Sequence, residues 1–171
     1  MNSTQELIFT TIKAMIQNPE VTVKDLQNSC IRYNILNLIA RWSLANDTYY
    51  VTEISKAHLI ENNFMQDEKM TRSKKSKKNG FTYEHPVPSN VICDLIMNNR
   101  FDDDAIKQIL YKTNIVTIVT KGENDLLNKN KLQTTMPDNW SFNTDDMFVR
   151  YFVSNLEVPT KTIEMSGAIH R

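Results

Sequence analysis

Glu84 and His85 are the residues best suited to chemistry, an acid and an imidazole side by side in the run Gly80-Phe81-Thr82-Tyr83-Glu84-His85-Pro86-Val87-Pro88. Pro86 biases His85 away from the helical region, Pro88 does the same to Val87, and neither proline can donate to a sheet ladder. The run therefore reads as a strand that stops at a sheet edge, with the imidazole on stiff backbone. Histidine titrates near neutrality, so it can exchange a proton under ordinary conditions. Neighbours in a regular strand point to opposite faces, so Glu84 and His85 converge on one ion only if the strand twists or bulges at its end. Just upstream, basic residues crowd into positions 69–78. Arg72, Lys74, Lys75, Lys77 and Lys78 could hold a phosphate backbone there without reading bases. The plainer reading of that run is a solvated loop.

The elements around this centre are mostly helical. Leu7, Ile8, Ile12, Met15 and Ile16 recur at helical spacing behind Ser3 and Thr4, and Asn18-Pro19 ends the segment. A second helix is expected from Val23 to about Ala45, and a third after Thr48 through Tyr50, Val51, Ile54, His58 and Phe64, with His58 a packed or solvated position on its face. Beyond the prolines, Ser89 caps a helix over 90–97 and Asp102-Asp103-Asp104 opens another that runs to Tyr111. Acids at a helix N-terminus are favoured by its dipole, which explains that triplet without a metal. Ile115 to Thr120 is a β-branched strand that feeds a helix from Lys121 through Leu126 and Leu127. Near the C-terminus, 145–152 reads as a short amphipathic helix capped by Thr144, in which Arg150 pairs Asp146 one turn away or reaches a phosphate, the first being cheaper, and Trp140 and Tyr151 pack. No period is legible from Lys161 to Arg171, and that tail is expected to be disordered.

A strand ending in Glu84-His85-Pro86-Val87-Pro88, followed later by the strand-to-helix run Val119-Thr120-Lys121-Gly122-Glu123-Asn124, resembles the HNH or His-Me finger (ββα-metal) endonucleases over about residues 80–132. The resemblance implies that His85 is the general base, that Glu84 is a metal ligand and that Asn124 is the helix-borne ligand, with Glu123, Asp125 and Asn128 competing for that last place. It also implies magnesium or manganese, which neutralises charge on the scissile phosphate while histidine activates water. Such a finger normally closes soon after its histidine, so the two helices between Pro88 and Ile115 enter as an insertion.

Composition bounds the rest. The 171 residues carry 20 basic and 20 acidic side chains, so charge does not steer the whole molecule to nucleic acid or lipid. Cys30 and Cys93 lie far apart with no metal-ligand spacing, three glycines leave no phosphate-cradling loop, and no apolar run approaches the roughly 20 residues that span a bilayer. These readings predict a cytoplasmic α+β protein, mostly α, with a helical N-terminal layer at 1–66, a basic loop at 67–79, a ββα-like core with a C-terminal helix at 80–158 and an aperiodic tail at 159–171. The expected function is metal-dependent hydrolysis of DNA, or of RNA, with no membrane partner. The alternative is a non-catalytic interaction protein with a protein partner, such as an inhibitor, immunity factor or regulator of bacterial or phage origin. A nucleic-acid-binding module without catalysis is a third reading.

Overall fold

A computed structural model describes residues 2–28, 30–73 and 75–167. In chain order the elements begin with α1 (Ser3–Ile16), α2 (Val23–Asn28), α3 (Cys30–Leu44), β1 (Thr48–Val51), α4 (Glu53–Glu61), β2 (Met65–Gln66) and β3 (Lys69–Thr71). They continue with β4 (Phe81–Glu84), α5 (Ser89–Asn98), α6 (Asp103–Lys112), β5 (Thr117–Thr120), α7 (Lys121–Lys129), α8 (Val149–Val153) and β6 (Lys161–Ser166). The fold is α+β. None of the described helices is long and apolar enough to cross a membrane.

The chain divides into two compact units. The first joins Met1–Ala45 to Ser89–Asn114 and is all helical. Asn2 opens α1 with a capping box: its side chain accepts from the Gln5 N–H, and the Gln5 side chain accepts from the Asn2 N–H. Ile8, Phe9, Ile12 and Ile16 then line one buried face. Ile35, Ile39 and Trp42 do the same on α3, and the Trp42 indole donates to the Leu110 carbonyl at 3.1 Å. Ile92, Cys93 and Ile96 from α5 join Ile106, Ile109 and Leu110 from α6 in this unit's core. The two helices between Pro88 and Ile115 thus belong to the unit begun by the N-terminal helices, which differs from an N-terminal layer ending at 66.

The second unit, Asn46–Pro88 with Ile115–Arg171, holds the whole sheet in the order β2-β3-β6-β1-β5-β4. β1 runs parallel to β5 and antiparallel to β6, β3 runs parallel to β6, and β4 is an edge strand antiparallel to β5. Tyr50 and Val51, expected in a third helix, lie in β1, and that helix begins only after Thr52, whose side chain caps α4. The aperiodic tail is corrected as well: Lys161–Ser166 forms β6, an interior strand that buries Ile163 and Met165. The last helix is shorter than the expected 145–152 and has no side-chain cap from Thr144. β4, β5 and α7 make a strand, strand and helix with α5 and α6 intervening in sequence between the two strands, and Phe81 lies opposite Thr120 and Glu84 opposite Thr117.

Candidate functional site

Glu84 closes β4, and two consecutive residues of α8 meet its carboxylate. Arg150, fully buried, donates from Nη2 to Glu84 Oε1, and the Tyr151 hydroxyl donates to Glu84 Oε2 at 2.5 Å. The same guanidinium reaches backbone on three sides, from Nε to the Pro86 carbonyl at 2.7 Å, from Nη2 to the His85 carbonyl at 2.7 Å and from Nη1 to the Leu132 carbonyl. Pro86, Val87 and Pro88 are buried around it. Tyr151 stands in a buried cluster with Val119, Leu127 and Leu156. Burial pushes the Glu84 carboxyl above its ordinary range, while the Arg150 charge and the two donors pull against that shift. Burial likewise drives the Tyr151 phenol well up, and the adjacent Glu84 charge adds to it.

This arrangement fits a structural clamp. Each Glu84 oxygen already accepts from a positioned donor, and a guanidinium in contact with a carboxylate repels a divalent cation from the same place. Freeing Glu84 for a metal would leave Arg150 buried without its counter-charge, a loss of about 3–5 kcal/mol.

Asn124, half-buried on α7, lines a hollow of about 200 Å³ with Lys77, Phe81, Thr82, Lys121 and Asp125. That hollow opens at the first residues of β4, whereas Glu84 ends the strand, a separation of about 10 Å at the usual rise. The structure therefore does not bring Glu84 and Asn124 into one pocket. The competitors for the helix position differ in fate: Glu123 is buried and accepts from the Thr120 N–H and hydroxyl, both at 2.8 Å, Asp125 pairs Lys121 at 2.6 Å, and Asn128 is exposed. His85 is half-buried, one residue beyond the end of β4. Among the described residues no three His, Cys, Asp or Glu side chains are grouped to hold a metal ion. As placed, Glu84 and Asn124 do not fit magnesium or manganese as a ligand set.

The loop expected at 67–79 is strand where Lys69–Thr71 forms β3, and an ordered turn at 75–80. The Asn79 N–H donates to the Lys75 and Ser76 carbonyls, both at 2.9 Å, and the Phe81 N–H donates to the Ser76 carbonyl at 3.1 Å. Lys75, Lys77 and Lys78 are exposed on it, and Lys74 lies outside the described residues. Arg72 plays another part. Its Nε donates to the Tyr49 hydroxyl at 3.1 Å, Nη1 donates to the Gly167 carbonyl at 2.8 Å, and Nη2 donates to the Asn46 carbonyl, so it fastens backbone instead of joining the lysines.

Sequence spacing pairs Arg150 with Asp146 and leaves Tyr151 as packing; the structure corrects the first and adds a hydrogen bond to the second. One signal for the true partner lies in the sequence. Arg150 is the lone cation in Met147-Phe148-Val149-Arg150-Tyr151-Phe152-Val153, and a charge among apolar residues implies a buried partner. Lys121, beside the lysine turn, carries no such signal and emerges only from the fold. Compared with known proteins, the chain matches no family model, no curated protein and no solved structure.

Proposed function

We propose that this chain is a non-catalytic interaction protein that grips a nucleic-acid backbone, DNA before RNA, through Lys75, Lys77, Lys78 and Lys121. The observation that carries this reading is the hydrogen-bonded turn at 75–80, which presents three exposed lysines, one of which, Lys77, lines a hollow with Lys121. A lysine on a preformed turn loses less conformational freedom on binding than one on a loose loop, so more of its attraction to phosphate is kept. The Glu84–Arg150–Tyr151 cluster is then the brace that holds the end of β4.

A titration of labelled mixed-sequence duplex DNA at stepped salt tests it. Replacing Lys75, Lys77 and Lys78 together with Gln should flatten the slope of log affinity against log salt by up to about 0.9 for each phosphate no longer neutralised, while His85→Ala leaves binding unchanged. Binding by the triple variant equal to that of the parent would sink the proposal.

A metal-dependent endonuclease remains the second reading, favoured by the succession β4, β5, α7 with His85 just past the first strand. It requires Glu84 to release Arg150. Nicking of supercoiled plasmid in magnesium or manganese, abolished by His85→Ala and Asn124→Ala, would establish it over the first; its absence with either ion would leave the binding reading alone.

A further inference from the structure

We infer that His58 is a positioning residue for the lysine turn, holding its backbone so that the ammonium groups meet a phosphodiester chain as a preformed row. The inference rests on the backbone-binding reading above. His58 projects from α4, and its Nε2 lies 2.9 Å from the Asn79 carbonyl. A carbonyl can only accept, so Nε2 carries the proton, and Nδ1 is left to accept from the Asn62 side-chain amide at 3.4 Å. That amide also donates to the His58 carbonyl at 2.8 Å, which ties the ring's partner back to the helix.

Sterics add a second tie. Gly80, which closes the turn, sits at φ +83° with its α-carbon against the ring; a β-carbon there would come within 3.1 Å of His58 Cε1 and Nε2. The position thus demands glycine both for its left-handed backbone and for its approach to the imidazole. Beneath the turn runs a row of rings: His58 to Phe64 at 6.3 Å, Phe64 to Phe81 at 5.6 Å, Phe81 to Tyr83 at 5.8 Å and Tyr83 to Tyr49 at 5.5 Å. The Tyr83 hydroxyl accepts from the Ser73 N–H at 2.9 Å, so the segment that carries the lysines is fixed at its start by Tyr83 and at its end by His58. His58 ends that row, and the bond to Asn79 is its tie to the lysine-bearing backbone.

The test uses the full chain, a labelled mixed-sequence DNA duplex and amide hydrogen exchange of residues 79–81. His58→Ala should speed exchange at Asn79, Gly80 and Phe81 and weaken DNA binding about tenfold, because the lysines must then be ordered at the moment of binding. His58→Gln, which can present a donor near the same place, should restore binding to within about twofold of the parent. Gly80→Ala should reproduce the His58→Ala defect from the other side of the contact, and it serves as the second probe if His58→Ala is poorly folded. If the parent binds DNA and His58→Ala and Gly80→Ala bind equally well, this inference is overturned while the backbone-binding reading stands. Unchanged exchange at 79–81 in both variants overturns it too. A parent that binds no DNA removes the reading and this inference together.

Discussion

Arg150 gathers more backbone than any short motif could have announced. It links the end of β4, the two residues that follow it and Leu132, while Tyr151 completes the cap on Glu84. Removal of single atoms should therefore grade the cluster. Tyr151→Phe deletes one donor to a buried carboxylate and should lower stability by about 1–3 kcal/mol. Glu84→Gln keeps the shape but strips Arg150 of its counter-charge, and should cost about 3–5 kcal/mol. Urea denaturation measures both, and a Glu84→Gln variant as stable as the parent would mean that the guanidinium is satisfied by carbonyls alone. Glu84 and His85 were legible as special because the prolines fence them. Their role was not, since helical periodicity sees only the acid one turn from Arg150, whereas the partner that burial selects is 66 residues away.

Elements were legible where local chemistry agrees with tertiary use. The helices expected to open at Asp102 and at Lys121 do so, Asp102 capping α6 and Thr120 adding a capping box to Glu123 on α7. Tyr50, Val51, Ile54 and His58 also fit helical spacing, yet the first two are in a strand because the pairing of Tyr50 with Thr117 and Thr162 outweighs a pattern too short to choose between periods. β6 escaped notice because just two apolar residues, Ile163 and Met165, alternate along it. It nevertheless lies between β3 and β1. Ending the chain after Thr160 should strip β1 and β3 of one ladder each and abolish native folding of the sheet unit, as judged by dispersion of amide resonances; retention of native dispersion would show that β1 and β3 hold without it.

For the molecule as a whole, the carboxylates of Asp25, Glu53, Glu68 and Asp103 are held below their ordinary range, chiefly by hydrogen bonds from Thr22, Lys161, Lys56 and Lys13 respectively. A depressed carboxylate contributes stability above its unfolded value and loses it as pH falls through its folded one. Glu84, raised by burial, has the opposite sign: its contribution is present in acid and is lost as pH rises through its folded value. With the depressed groups in the majority, the thermal midpoint should drop once pH falls below about 4. Because those pairs face solvent, added salt should shrink the drop. A midpoint that rises on acidification would show that Glu84 dominates.

The strand order carries a consequence for synthesis. β6 comes last in the chain, yet it lies inside the sheet between β3 and β1, and β1 finds its other neighbour in β5, after an excursion of 26 residues, Ser89–Asn114, into the helical unit. A ribosome releasing this polypeptide from its N-terminus lets β2 and β3 pair with each other at once, but it exposes β1 and the other edge of β3 well before β5 and β6 arrive to join them. The sheet therefore cannot zip up as it emerges; it closes in a late step of high contact order, and until then its open ladders are the part of the nascent chain that a chaperone must shield.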